Sequence, residues 1–317
     1  FFNSYLTEKI LTYKDLNDNA SKFISYFKNI GINRGDKVAV VLNNCDEIVP
    51  IYFSFFFHGI TLVPINPDLT SVQISYIINE SKCKYVICEI STLEYLKNNN
   101  NNVEYILLQE TSKYNDFHCI DFDEIISSDK YSNDNINFDN LNEDDDLIEI
   151  YTSGTTGLPK KVVHSYSNVI NNGYSFIKAV NIGNKNRFIN YLPVSYLGGY
   201  FNLLIIPFLC EGSVVMTEQF SSKLLLEFWD KLNKYKINTL WFVPTILNAL
   251  LKLDKSSENS KIEIDKAFIG MDMVPRDLKV DFEKKFSTKL LENYGLSETL
   301  FISTESSTDA TQTSGKL

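Results

Sequence analysis

With 317 residues the chain is long enough for two lobes of roughly 150 residues each, and its net charge of −10 argues against a general nucleic-acid surface or an anionic-membrane surface. The cysteines number five and lack the CxxC spacing of zinc and redox sites, which favours free thiols in a reducing cytoplasm. No signal-peptide pattern opens the chain, and its most apolar stretch, residues 48–60, is too short to span a bilayer.

The first part of the chain alternates predicted helices and strands. Apolar residues at helical spacing from 16 to 27 predict a first helix, which Gly31 ends. Asn43 and Asn44 are predicted to cap a helix that Gly59 closes. Strands are predicted at 38–42, 61–64, 85–88 and 104–108, with a helix through Val72, Ile74 and Ile77. This alternation predicts a parallel sheet covered by helices, which is an α/β fold.

A polar segment separates this part from the rest. Residues 98–102 form a polar loop, and residues 127–146 turn acidic and end in Glu143–Asp146. Consecutive carboxylates cannot converge on one metal from a helix or strand, so a solvated connector is favoured over a metal site.

The same alternation continues after the connector. Helices are predicted at 168–179, 201–209, 223–235, 245–253 and 276–286, and strands at 187–192, 213–216, 239–243, 266–269 and 289–294. The two halves therefore predict two sheets of similar type.

One loop has the composition of a phosphate site. Residues 151–160, YTSGTTGLPK, follow the apolar run 147–150 and combine four hydroxyl residues with two glycines, so the backbone can approach an anion and Lys160 can neutralise it. A plain surface turn is the alternative, but Pro159 and the apolar segments on both sides favour the phosphate loop. It is not a Walker A loop, which ends in Gly-Lys-Ser/Thr.

Several further segments follow predicted strands, where ligands of parallel sheets bind. They are residues 196–200, 270–272 and 294–298. Their chemistry predicts a nucleotide site in which Tyr294 stacks on a base, Ser297 contacts a phosphate oxygen and Glu298 binds Mg²⁺ through hard oxygen ligands.

These motifs resemble those of the adenylate-forming superfamily, which includes acyl- and aryl-CoA synthetases, peptide-synthetase adenylation domains and firefly-type luciferases. The similarity lies in YTSGTTGLPK at 151–160 and YGLSE at 294–298, with support from LTY at 11–13, GINRGDKV at 31–38 and VPINP at 63–67. It implies a large domain of two stacked, mostly parallel sheets flanked by helices. It also implies that most of the family's β-barrel part and its small C-terminal domain, with a catalytic lysine, lie beyond residue 317, so that residues 1–317 alone make little adenylate.

The resemblance implies a reaction in two steps: a carboxylate attacks the α-phosphorus of ATP, and a thiol such as coenzyme A then displaces AMP. It assigns catalytic roles to Lys160, Ser297 and Glu298, with Glu298 as the Mg²⁺ ligand. The nucleotide-binding residues it implies are Thr152, Ser153, Gly154, Thr155, Thr156, Gly157, Lys160, Gly270, Met271, Asp272, Tyr294, Gly295 and Ser297. The acid-binding candidates are Tyr196, Gly199, Phe242, Val243 and Asp272.

The chain departs from the family where the acid is selected. Lys161 stands where the family often has glycine, Tyr166 where it has histidine, and Ser195-Tyr196 replaces a frequent Phe-His. Asp272 either caps the helix that follows or favours a substrate with a positive group.

The acceptor is left open by the sequence. A CoA ligase is the leading hypothesis, and an adenylation domain that loads an amino or aryl acid onto a carrier protein is the second. A non-catalytic nucleotide- or acyl-binding remnant is the third. A homodimer is left open.

The predicted domains are a first helix at 1–35 that packs with the second lobe, a first lobe at 36–192, a second lobe at 193–302 and a flexible tail at 303–317. His58, His118 and His164 have no metal-ligand spacing and are expected to be structural.

Overall fold

The computed structural model describes residues 1–4, 7–96, 103–108, 117–131, 141–152, 159–253 and 262–306. Contacts divide the chain into two compact units. We call Leu11–Asn168 with Pro193–Leu197 the seven-stranded unit, and Phe1–Ile10, Val169–Leu192 and Gly198–Leu317 the eight-stranded unit.

Helices and strands alternate along most of the described chain. Strands β1 to β15 lie at Phe2–Ser4, Ile10–Leu11, Lys37–Val41, Thr61–Ile65, Tyr85–Cys88, Glu104–Leu108, His118–Ile120, Asp146–Thr152, Lys160–Ser165, Arg187–Asn190, Ser213–Met216, Thr239–Phe242, Lys266–Ile269, Leu290–Leu296 and Leu300–Thr304. Helices α1 to α10 lie at Tyr13–Asn29, Ile48–His58, Ser71–Ser81, Ile90–Leu96, Phe122–Ser127, Tyr166–Val180, Ile206–Leu209, Ser222–Tyr235, Pro244–Leu253 and Arg276–Phe286. A π-helix, Gly198–Ile205, runs directly into α7.

The first sheet has the strand order β7-β6-β5-β3-β4-β8-β9. Its neighbouring strands are parallel, except for the antiparallel pair β8–β9. Its core is made of strand residues such as Val41, Val63 and Val86, which pack with Ile74 and Ile78 of α3. Strands of this kind are buried on both faces, which explains their continuous β-branched runs.

The second sheet has the order β15-β14-β13-β12-β10-β11-β1-β2. The strands from β14 to β1 pair in parallel, and β15 is antiparallel to β14. The prediction of two mostly parallel sheets flanked by helices is therefore confirmed.

Helix α1 begins as its sequence dictates. The Asp15 amide donates to the Thr12 hydroxyl oxygen at 3.1 Å, and the Thr12 amide donates to the Asp15 carboxylate at 2.8 Å, so both ends of a capping box are present. Gly31 follows the helix with φ +91°, as the terminator prediction required. The buried face of α1 packs on α2 and α5.

The compact units differ from the predicted domains. Helix α1 contacts α2 and α5 within the seven-stranded unit, whereas it was predicted to pack with the second lobe. The segment Val169–Leu192 was predicted in the first lobe, but β10 pairs with β11 and β12 and therefore belongs to the eight-stranded unit. Ser303 and Thr304 were predicted to begin a tail, but they complete β15, and residues 307–317 lie outside the described residues.

The predicted start of α2 was wrong, although its end was right. Glu47 occupies the N-cap position without a side-chain hydrogen bond, and the Asn44 side-chain oxygen accepts the Val194 amide at 3.0 Å instead. A contact so distant in sequence has no local signal. Gly59 ends the helix in the left-handed conformation with φ +80°, as predicted.

The described residues include part of the acidic connector and none of the predicted polar loop. The Asp145 carboxylate forms an ion pair with Arg34 at 2.5 Å, and Asp146 opens β8. Residues 132–140 of the connector and the predicted loop at 98–102 lie outside the described residues.

His58, the last residue of α2, is expected to make stability depend on acid pH. Burial, with help from Lys28 and Arg34, lowers the pKa of His58 from 6.5 to about 4. Below pH 6.5 the unfolded chain binds a proton that the folded chain takes up only near pH 4, so stability falls as the pH falls through this window. Because the imidazole is partly open to solvent, we expect a loss of about 1–2 kcal/mol rather than the full shift.

The measurement is the free energy of unfolding by urea at pH 8 and pH 4.5. His58→Gln should reduce the difference between the two pH values, and the comparison at pH 8 removes the pH-independent effect of the substitution. An unchanged difference in the variant would show that His58 does not cause the loss.

Candidate functional site

The predicted phosphate loop connects two antiparallel strands at the edge of the first sheet. Thr152, the last residue of β8, pairs with Lys160, the first residue of β9, and Tyr151 pairs with Lys161. Residues Ser153–Leu158, the centre of the loop, lie outside the described residues. Because Thr152 and Lys160 pair with each other, the two ends of the loop lie side by side.

One strand of this pair carries a buried carboxylate. Glu149 of β8 is fully buried, and its two oxygens face two lysines: Lys37 forms a hydrogen-bonded ion pair with Oε1, and Lys161 Nζ lies 3.9 Å from Oε2. Burial alone would lower the pKa of Lys37, but the Glu149 hydrogen bond and charge outweigh it and raise that pKa. Lys161 and Lys160 are both exposed residues, and of the two only Lys161 forms an ion pair with Glu149 within the described part of the chain.

Tyr196 lies at the carboxyl edge of the same sheet. Its hydroxyl oxygen accepts a hydrogen bond from the Asn66 side chain at 3.2 Å, and Asn66 follows β4 directly. Since Asn44 follows β3 and binds the Val194 amide, the segment Pro193–Leu197 is held at the ends of the two parallel strands. Thr152 lies at the end of β8, which is parallel to β4, so these candidates share one sheet edge.

Tyr166, another departure from the family pattern, is a structural anchor. It is buried at the start of α6, and its hydroxyl donates to the Phe56 carbonyl oxygen at 2.7 Å, where Phe56 belongs to α2.

Candidates in the eight-stranded unit gather at the carboxyl ends of β12, β13 and β14. The Gly270 amide donates to the Phe242 carbonyl at 3.3 Å, and a Cβ on Gly270 would lie 2.7 Å from the Asn293 carbonyl oxygen. A Cβ on Gly198 would lie 2.7 Å from Cε of Met271. Glycine is therefore needed at position 270, where the crowding atom belongs to the main chain, whereas the atom near Gly198 is the end of a flexible side chain. These contacts place the turn at 270–272 next to the end of β14 and the start of the π-helix.

The double glycine, Gly198 and Gly199, begins the π-helix. Instead of the predicted α-helix at 201–209, residues 198–205 have π geometry, and α7 adds only a short turn. Asn190 at the end of β10 donates to the Gly199 carbonyl at 2.9 Å and to the Leu203 carbonyl at 3.3 Å, so its amide group holds the wide turn. π-Turns are frequent at functional sites. Gly199 itself is buried.

The YGLSE motif forms the tip of the β14–β15 hairpin. Tyr294 is half exposed, the Leu296 carbonyl accepts the Thr299 amide at 3.2 Å, and Ser297–Thr299 make the turn. Glu298 is exposed and makes no hydrogen bond or ion pair with a described residue. Its carboxylate is therefore available for a ligand.

Three of the acid-site candidates differ in what they can contact. Phe242 is fully buried, with its ring centroid 5.6 Å from that of Phe282 and 6.2 Å from that of Phe228, so its side chain belongs to the core. Val243 is partly buried. Asp272 does not cap α10, whose N-cap is Pro275 without a side-chain bond; its carboxylate accepts the Met273 amide at 2.7 Å.

Comparison with known proteins decides the family. The family model for AMP-binding enzymes matches residues 3–317. The chain belongs to this family. Its two sheets accordingly match the large domain of adenylate-forming enzymes, as the motifs predicted.

AMP-binding enzymes with curated names and with solved structures are similar to this chain. Crotonobetaine/carnitine–CoA ligase of Salmonella agona (strain SL483) is 23% identical over 91% of the chain and 56% of its own length. Apo MatB from Rhodopseudomonas palustris has a TM-score of 0.80 at 20% identity, over 96% of this chain and 58% of that one. The anthranilate CoA ligase AuaEII in complex with anthranoyl-AMP has a TM-score of 0.87 at 17% identity, over 99% and 60%. At these identities the structural likeness shows the fold.

The described residues offer neither a membrane-spanning helix nor a cluster of metal ligands. None of their helices combines the length and the apolar character needed to cross a bilayer. They also contain no group of three or more His, Cys, Asp or Glu side chains placed to hold a metal ion.

Glu149 and Asn190 are residues that the sequence interpretation missed. Glu149 sits in an apolar run, and a carboxylate inside a predicted buried strand was the available signal, because such a group needs a charged partner. Asn190, an amide at the end of a strand, carries no comparable signal.

Proposed function

We propose that this AMP-binding enzyme activates a carboxylic acid with ATP and transfers the acyl group to coenzyme A. The acid's carboxylate attacks the α-phosphorus, which releases pyrophosphate and gives an acyl-adenylate. The CoA thiolate then attacks the acyl carbon, and AMP leaves as the thioester forms.

One observation carries the proposal. In each unit a family motif lies at the carboxyl edge of a mostly parallel sheet. The phosphate loop begins at Thr152, the last residue of β8, and Tyr294–Glu298 span the end of β14 and the turn after it. Ligands of such sheets bind at this edge.

The residues divide the chemistry between them. Lys160 supplies a positive charge for the phosphates, and Thr152 with residues 153–157 supplies hydroxyl and amide donors. Tyr294 stacks on adenine beside the turn at 270–272, and Ser297 donates to the α-phosphate. Holding the two reactants in line and neutralising charge are the main sources of rate in phosphoryl chemistry.

Magnesium fits one residue of this set. Glu298 has an exposed carboxylate without a described partner, and a hard oxygen ligand is the kind that Mg²⁺ takes beside substrate phosphates. When bound, Mg²⁺ would offset the negative charge of the polyphosphate.

The names of the relatives favour CoA over a carrier protein as the acceptor, since the curated proteins above are CoA ligases. In the eight-stranded unit the exposed Asp272 is a polar candidate for selecting the acid, and in the seven-stranded unit the Tyr196–Asn66 pair is another. A trimethylammonium acid such as carnitine and an aromatic acid such as anthranilate are the first to test. The five cysteines are free thiols, which supports the proposed cytoplasmic location.

The test is pyrophosphate release by the full-length protein with ATP, Mg²⁺ and a panel of acids: carnitine, anthranilate, and short- and long-chain fatty acids. We expect release with at least one acid and thioester formation when CoA is added. ATP binding without release on any acid would reject the proposal and favour a non-catalytic nucleotide-binding protein. Release that CoA does not convert to a thioester would favour a carrier-protein acceptor.

A further inference from the structure

Asn172 of α6 binds the main chain of β15 in a reciprocal pair. Its side-chain amide donates to the Phe301 carbonyl at 2.8 Å, and its side-chain oxygen accepts the Phe301 amide at 3.1 Å. Among the described strands β15 is the outermost of its sheet, so these two groups have no described strand beside them to bind. Asn172 therefore takes the place of a strand residue at this edge.

Phe301 lies three residues after Glu298, and the structure between them leaves little freedom. A Cβ on Gly295 would overlap the Leu300 carbonyl oxygen, and Leu300 has φ +58°. The Leu296 amide also donates to the Thr299 hydroxyl at 3.3 Å. Because the turn is this tight, the position of Phe301 fixes that of Ser297 and Glu298.

The side chain of Phe301 is held as well as its main chain. It stacks on Phe176 at 4.4 Å and on Trp241 at 5.3 Å between centroids, and Phe201 of the π-helix lies at 5.5 Å. Phe176 is one helical turn after Asn172 on α6. One face of α6 thus binds both the main chain and the side chain of Phe301.

We propose that Asn172 is a positioning residue for the Ser297–Glu298 turn, acting through the main chain of Phe301. This inference rests on the proposed function for its effect on catalysis. The aromatic stack restrains the ring but permits rotation and sliding of the strand, whereas two hydrogen bonds to one residue's main chain fix the strand's height and register.

The chain offers a matched control in the neighbouring residue. Asn171 is exposed on the same helix, and its side chain has no hydrogen bond to a described residue. Asn172→Leu removes both bonds and keeps the number and branching of the side-chain heavy atoms, and Asn171→Leu makes the same chemical change away from the Phe301 contact. Asn172→Asp is a second variant, which keeps the acceptor for the Phe301 amide and loses the donor.

The first readout is amide hydrogen exchange in residues 296–301, which needs no activity. We expect at least about a tenfold faster exchange in Asn172→Leu and no change in Asn171→Leu, since the edge of β15 opens only when the clamp is lost. Unchanged exchange in both Asn172 variants would overturn the inference.

The second readout is pyrophosphate release as a function of Mg²⁺ and acid. Asn172→Leu should lower kcat about tenfold or more and raise the Mg²⁺ concentration for half-maximal rate, with the KM for the acid changed less than about twofold. A purely structural role would reduce the amount of active protein and leave the Mg²⁺ requirement unchanged, which would refute positioning. If the parent is silent on every acid, the proposed function fails, and the exchange result alone decides whether Asn172 holds the turn.

Discussion

Glu298→Gln is expected to slow adenylate formation by about 10²–10³-fold, the range found when one preorganised electrostatic group is removed from an active site. The side chain is exposed and makes no contact by hydrogen bond or ion pair with a described residue, so its replacement should leave the fold unchanged. The loss should fall on kcat, with a higher Mg²⁺ requirement, because glutamine is a neutral and weaker ligand for a hard cation. Pyrophosphate release over a Mg²⁺ titration measures both effects.

Glu263→Gln is the matched control for this prediction. Glu263 is also exposed and also lies in the eight-stranded unit, close before β13. Glu263→Gln should release pyrophosphate at the parental rate and with the parental Mg²⁺ requirement. A Glu298→Gln enzyme with more than about half of the parental rate at every Mg²⁺ concentration would remove Glu298 from the proposed site.

Among the substitutions proposed for this chain, Lys279→Met is expected to lower the free energy of unfolding the most, by about 3–5 kcal/mol. A loss of this size is typical when one partner of a buried ion pair is removed. Lys279 of α10 is 4% exposed, and its ammonium lies 2.5 Å from the Glu305 carboxylate and 3.2 Å from that of Glu292. Glu305 also accepts the Glu292 amide at 3.0 Å and is itself buried. Without the lysine, both carboxylates lose the cation that lies within 3.2 Å of each of them.

Urea unfolding measures this loss, and two comparisons make it specific. Lys284→Met alters an exposed lysine of the same helix and should change stability by less than about 0.5 kcal/mol. Adding Glu305→Gln and Glu292→Gln to Lys279→Met should recover much of the loss, because these substitutions remove one buried and one partly buried negative charge. The side-chain oxygen at position 305 can still accept the main-chain amide of residue 292. A loss below about 1 kcal/mol for Lys279→Met would contradict the buried-pair argument.

The local signals in the sequence predicted most elements correctly. β-Branched runs marked the parallel strands, and Gly31 and Gly59 marked helix ends, because a left-handed residue after a helix is a strictly local requirement. The motifs at 151–160 and 294–298 also carried the family assignment, which the match over residues 3–317 confirmed.

Predictions of local structure were wrong where a side chain forms a hydrogen bond with a segment distant in the sequence. Asn44 was predicted to cap α2, but its side chain binds the Val194 amide, 150 residues away. The predicted α-helix after the double glycine became a π-helix, which Asn190 holds from β10.

The sequence by itself determined the fold class, the family and the two motifs, since each depends on residues that are neighbours in the chain. Only the tertiary structure decided which side chains support those motifs. Glu149 of β8 forms ion pairs with two lysines, Lys279 joins α10 to the base of the β14–β15 hairpin, and Asn172 binds Phe301, which lies 129 residues away in the chain. Their roles depend on buried charge and hydrogen-bond satisfaction, and those become defined only when distant segments fold against each other.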